Sequence, residues 1–120
     1  MRIVYDDTKL SLFTEFVSIW AHTRAKNVDL KEYSYGMRRI SLRLVQRDLD
    51  GYLEEKKFTI GKDVHHAHGI GNNNRYPVYY HAENEMQQVG YLNIIIDPYG
   101  GGRVFVSDYN DDRVGALHKL

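Results

Sequence analysis

From Lys9 onward, apolar residues fall at Leu10, Phe13, Phe16, Val17 and Trp20. Steps of three and four predict an amphipathic helix running to about Lys26, with Asn27 near its end. Asp6, Asp7 and Thr8 just before it are good N-cap chemistry, since a side-chain oxygen can accept an orphan backbone N–H. Arg2 to Tyr5 alternates weakly and predicts a short strand. Residues 29–58 carry two patterns at once. Leu30, Tyr33, Met37, Ile40 and Leu44 step as a helix does, whereas Ile40, Leu42 and Leu44 alternate as a strand does. Asp50-Gly51 is equally a hairpin turn or a helical stretch in which glycine costs about 1 kcal/mol. The expectation is a helix through at least Arg47.

Further on, Phe58 to Ile60 with Val64 predicts a strand and residues 75–80 another, with turn chemistry at 69–74 between them. Residues 81–88 are polar and read as a helical turn or an exposed loop. The clearest pattern is 90–109, where two β-branched and aromatic runs flank Pro98-Tyr-Gly-Gly-Gly. That predicts an antiparallel hairpin, whose Leu92, Ile94, Ile96, Val104 and Val106 face Leu10, Phe13, Phe16 and Val17. The tail, 111–120, is expected to form a last short helix. Together these elements predict a small single α+β domain spanning 1–120, with the N-terminal helix packed on an antiparallel sheet built around the C-terminal hairpin.

Length and composition agree with one core: 120 residues, 42% of them hydrophobic, no internal repeat and no linker. The formal net charge is zero, so any site for a polyanion has to be local. No cysteine is present, which removes thiol chemistry and cysteine-ligated metals and agrees with a cytoplasmic home. No apolar run approaches the roughly 20 residues of a membrane span, so no membrane partner is expected. Ten tyrosines are many for so small a chain. Tyr76, Tyr79, Tyr80, Tyr91 and Tyr99 crowd the stretches beside the hairpin, and rings in such number predict an interface, most simply that of a symmetric homodimer.

Two stretches carry candidate chemistry. One is 63–81, DVHHAHGIGNNNRYPVYYH, with four of the six histidines and three consecutive asparagines. His65, His66 and His68 offer imidazoles to a borderline metal. A zinc site would also need His81, with Asp63 or Glu83, brought in across a turn. Gly69-Ile-Gly71 is at most a weak anion nest. Within this stretch, VHHAHGIGNNNRY resembles the heart of the His-Asn-His endonuclease motif. The resemblance implies a metal-dependent phosphodiesterase in which His65 holds a divalent ion, His66 is the general base, and Asn72 or Asn73 braces the loop. The metal would then stabilise charge on the scissile phosphate. The family continues into a helix with a further histidine or asparagine. Here Arg75 to Tyr80 intervene, including Pro77, and His81 is a loose substitute.

The other stretch is the row Arg39, Arg43 and Arg47, with Arg38 at its edge. Four-residue steps share one face of a helix, and even steps share one face of a strand, so the row survives either folding. Guanidinium forks suit phosphate and carboxylate, and three in line hold an anionic ligand, a nucleic acid or an acidic protein surface. Alternatively the row is a solvated face neutralised by Asp48, Glu54 or the acidic 108–112 run. A calcium loop at Asp48-Leu-Asp50-Gly51 fails, because Gln46 and Lys57 fall at its first and last ligand positions. No serine nucleophile with a base, no paired catalytic carboxylates and no dinucleotide fingerprint is recognisable. The first expectation is therefore a non-enzymatic module without a cofactor, which binds an anionic partner through the arginine row and exposed tyrosines.

Overall fold

The computed structural model describes residues 2–25, 38–62, 65–66, 72–96 and 102–120, with backbone alone for 38–41, 65–66 and 72–73. The fold is α+β, and the N-terminal helix packs on a mainly antiparallel sheet. Among the described residues the order is β1 (Arg2–Tyr5), α1 (Leu10–Thr23), α2 (Arg38–Glu54), β2 (Phe58–Ile60), β3 (His65–His66), β4 (Asn72–His81), β5 (Glu85–Ile96), β6 (Gly102–Ser107) and β7 (Arg113–Lys119). None of the described helices is long and apolar enough to cross a membrane.

The expected stripe builds α1. Leu10, Phe13, Val17 and Trp20 are buried, and Phe16 packs half-buried against Phe58 with ring centroids 6.0 Å apart. Its start differs from expectation, because no side chain caps the helix. Asp6 Oδ1 instead accepts the Thr8 N–H at 2.9 Å, and the Asp7 carbonyl accepts the Leu10 N–H at 3.0 Å. The acidic run forms the turn into the helix through its backbone, and no carboxylate bonds the first helical amides.

The ambiguous block folds as a helix. Leu42, Val45, Leu49 and Leu53 are all buried, and their steps of three, four and four define one inward face of α2. Asp50 and Gly51 lie inside the helix and form no hairpin turn. Asp50 Oδ1 accepts the Ile60 N–H at 3.0 Å and so ties the last turns of α2 to the edge of the sheet. The chain then reverses through Lys57, at φ 67°, into β2.

The sheet is organised on β5. One edge of this twelve-residue strand pairs along β4, from Asn72 opposite Ile96 to His81 opposite Met86. Its other edge is divided, with β1 parallel over 85–88 and β6 antiparallel over 91–96. β2 and β3 share the far edge of β4, and β7 extends the sheet beyond β6. The expected hairpin is thus present and longer than expected. Residues 85–88 belong to its first strand instead of an exposed loop, and Gln88 is buried. Partners on both sides supply their ladder bonds, and this overrides the polarity of the local sequence. The tail is a strand and not a helix. Its Arg113 and Lys119 pair with Ser107 and Arg103, and Gly115 at φ 77° has a conformation no helix admits.

At Gly90 the sheet bends. Val78 faces Gly90 and Tyr79 faces Gln88, so Val89 is the extra residue of a bulge in β5, and a Cβ at Gly90 would lie 2.6 Å from the Ser107 carbonyl oxygen. Leu92, Ile94, Ile96, Val104 and Val106 are buried in one core with Leu10, Phe13 and Val17 of α1, as expected, and with the inward face of α2.

Candidate functional site

The arginine row lies on α2. Arg43 and Arg47 are exposed one helical turn apart, about 6 Å along the axis. Arg39 falls on the same line one turn earlier, and Arg38 beside it. Of the acids expected to neutralise them, Asp48, Asp108 and Asp111 are engaged elsewhere, whereas Glu54 and Asp112 are exposed. Asp48 turns inward, where its Oδ2 accepts the Trp20 indole N–H at 2.6 Å and its Oδ1 the Arg24 guanidinium at 3.2 Å. Asp50 serves the Ile60 amide. Asp108 accepts the Asn110 and Asp112 amides of its own turn, and Asp111 pairs with Arg75 at 3.3 Å. Among the described residues neither Arg43 nor Arg47 has an ion-pair partner.

The His/Asn segment has a different geometry from the one its motif implies. His65 and His66 pair with Arg75 and Asn74, so β3 and the start of β4 form a hairpin, with Asn72 and Asn73 already in its second strand. Asp63, His68 and the Gly69-Ile-Gly71 turn lie outside the described residues. His81 ends β4, six residues beyond Arg75, a separation of about 20 Å at the rise of a strand. Its Nε2 sits 2.8 Å from Thr59 Oγ1. One ion cannot take both His65 and His81 across that distance, nor Glu83, which lies beyond His81. The described residues hold no group of three or more metal-ligating side chains. Nor does a helix follow the motif. β4 turns at 82–84 directly into β5, and both described helices precede the segment. The resemblance therefore stops at the hairpin and lacks the helix that completes the nuclease site.

The tyrosines expected to be exposed are largely used within the chain. Tyr76 is buried. Tyr80 packs on Phe58 at 5.1 Å with the Lys9 ammonium over its ring, and Tyr79 is half-buried. Tyr91 carries the Arg75 guanidinium at 3.7 Å and meets Tyr109 edge-on at 6.2 Å. Tyr99 lies outside the described residues. Among the described residues the strongly exposed ring is Tyr5, 72% accessible, and one edge of it meets Tyr109 at 4.8 Å.

A polar cluster on the sheet face away from the helices escaped the sequence reading. Asn93 and Ser107 are buried there, with Asn93 Nδ2 donating to Ser107 Oγ at 2.9 Å. Beside them are Tyr91 with its stacked Arg75, and Tyr109, whose phenol is pushed up to about 12 by burial, with the charge of Asp7 acting in the same direction. The alternation Tyr91, Leu92, Asn93, Ile94 contained the signal, since it assigns Tyr91 and Asn93 to the face opposite the core. Arg75 joins β4 to the 108–112 turn through Asp111, so this cluster braces the sheet. No protein-family model, curated protein or solved structure matches the chain.

Proposed function

We propose that the chain is a non-enzymatic binding module for an anionic partner, held by Arg43 and Arg47 and continued by Arg39 and Arg38. The observation that carries this reading is the exposure of Arg43 and Arg47 on one line of α2, with the nearby acids Asp48 and Asp50 bonded elsewhere. Glu54 shares that line two turns beyond Arg47, about 10 Å along the axis and too far for an ion pair with it. A linear row on a convex helix suits a repeating polyanion better than a single small ligand, which binds in a concave pocket. A nucleic-acid backbone is the favoured partner. The reading includes a cytoplasmic location, which a chain without cysteine fits, and a symmetric homodimer.

The test is fluorescence anisotropy with labelled single- and double-stranded oligonucleotides over a series of salt concentrations. Affinity is expected to fall steeply with salt, and Arg43→Ala to lower the slope of log K against log salt by about one. Absence of binding at low salt, or an Arg43→Ala/Arg47→Ala variant that binds as the parent does, refutes the reading.

A further inference from the structure

We propose that β1 is the surface on which a second copy of this chain docks, antiparallel, with the two-fold axis through Val4. This rests on the homodimer reading and assigns its interface to a place other than the tyrosines beside the hairpin.

The direction of the backbone is the first observation. The Asp6 N–H donates to the Gln88 carbonyl at 3.1 Å, and β1 pairs in parallel with 85–88. In a parallel ladder the residues that bond the neighbour alternate. Arg2, Val4 and Asp6 therefore turn their backbone groups toward β5, and Ile3 and Tyr5 turn theirs outward. Among the described residues no second strand pairs with β1.

The side chains add a second observation. Ile3 is 57% and Tyr5 72% accessible, so an open edge coincides with two exposed large apolar residues on one face of the strand. Two other edges of the sheet, β2 and β7, are protected in recognised ways. β2 is three residues long, and Asp50 caps the Ile60 N–H. β7 is kinked at Gly115, carries a register shift against β6, and is charged at Arg113 and Lys119. β1 has no proline, glycine or bulge.

Self-complementarity identifies the occupant. With the axis through Val4, Ile3 and Tyr5 lie opposite the partner's Tyr5 and the partner's Ile3. These are the residues whose backbone groups face outward, so each pair exchanges both of its hydrogen bonds. The same register sets exposed apolar side chain against exposed apolar side chain, and it sets Arg2 opposite the partner's Asp6. Cross-strand pairs of both kinds are stabilising. A shift by one residue would set Ile3 opposite the partner's Asp6 and lose all three matches. Asp6 remains able to pair, because the Thr8 amide uses only its Oδ1.

Sedimentation velocity on the full chain, without added N-terminal residues, tests this over micromolar to millimolar concentration. The average mass is expected to rise from 14.0 kDa toward twice that value. Ile3→Pro removes an outward N–H while leaving the bonds to β5, and is expected to weaken the dimer about tenfold or more with the unfolding midpoint nearly unchanged. Arg2→Asp, at an exposed side chain, sets like charges opposite each other and is also expected to weaken it. The exchange Arg2→Asp/Asp6→Arg is expected to restore it. A monomer at every concentration overturns the dimer itself. A dimer that neither Ile3→Pro nor Arg2→Asp weakens overturns the assignment to β1 and leaves dimerisation standing.

Discussion

Asp48 is the residue by which α2 holds α1, and its replacement by alanine offers a quantitative check on that seam. Trp20 is completely buried, and its indole N–H is 2.6 Å from Asp48 Oδ2. Deleting the carboxylate leaves a buried donor without an acceptor, which costs about 1–3 kcal/mol. The second bond, to Arg24, adds little, because that guanidinium is 47% exposed and exposed ion pairs contribute about 0–1 kcal/mol. Arg24 also keeps its position over the Tyr52 ring, 5.2 Å from the centroid. Asp48→Ala is therefore expected to cost about 2 kcal/mol, mostly through Trp20. Asp48→Asn retains a neutral acceptor and is expected to cost about half of that. Arg24→Ala is expected to cost about 0.5 kcal/mol or less. Trp20 is the sole tryptophan, so its fluorescence reports the same site during a urea titration. At a slope of about 2 kcal/mol per molar, Asp48→Ala should move the midpoint down by about 1 M. If Asp48→Ala is no more destabilising than Arg24→Ala, the indole bond is not what holds the seam.

Ile94 is fully buried in the middle of β5, and Ile94→Ala is expected to cost about 2–5 kcal/mol; a loss under about 1 kcal/mol in denaturant would refute the core packing. Gly51 is exposed inside α2 with nothing within 4 Å of where a Cβ would stand, so Gly51→Ala is expected to raise stability by about 0.5–1 kcal/mol, and a loss would argue against a regular helix there. Burial first, and the facing His22 ring second, hold the His118 imidazole below its ordinary 6.5. Its contribution to stability is thus present above about 6.5 and lost as pH falls toward the folded value. The ring resonances should titrate below 6.5 and shift upward in His22→Gln, and an unshifted midpoint would contradict the packing of β7 against α1.

Where burial and local pattern coincide, the fold was legible. The α1 stripe and the hairpin around β5 and β6 both have an apolar face whose period matches the element. The window 39–47 was not, because Ile40, Leu42 and Leu44 fit both periods. The deciding residues are Val45, Leu49 and Leu53, which continue the inward face from Leu42 at helical steps, Leu53 only because the helix runs on through Gly51. Residues 85–88 and 113–119 were misread for another reason. Residues 85–88 are mostly polar and 113–119 show no alternation of period two, so neither stretch gives a local cue; what makes them strands is pairing, with β1 from the far end of the chain and with β4 and β6 across short turns. The His/Asn segment failed by distance. Composition placed His65 and His81 in one cluster, but a straight strand keeps them apart. The arginine row could be placed on one face in advance because its spacing is indifferent to the choice of helix or strand.

A net charge of zero does not by itself argue against a polyanion site in this protein, and the reason lies in one turn of α2. Arg47 and Asp48 are neighbours in sequence, but a helix rotates about 100° between successive residues. That step sends Asp48 into the seam with Trp20 and Arg24 and leaves Arg47 at the surface in line with Arg43. Asp50, two residues on, is drawn to the sheet edge by the Ile60 amide. Asp108 and Asp111 are held by their own turn and by Arg75. These four of the sixteen acids are bound to internal donors, and at short range they offer nothing to the arginine row. Screening at physiological salt reduces their field to little beyond about 8 Å, so an approaching phosphate would meet the local guanidinium groups before it felt the neutral whole.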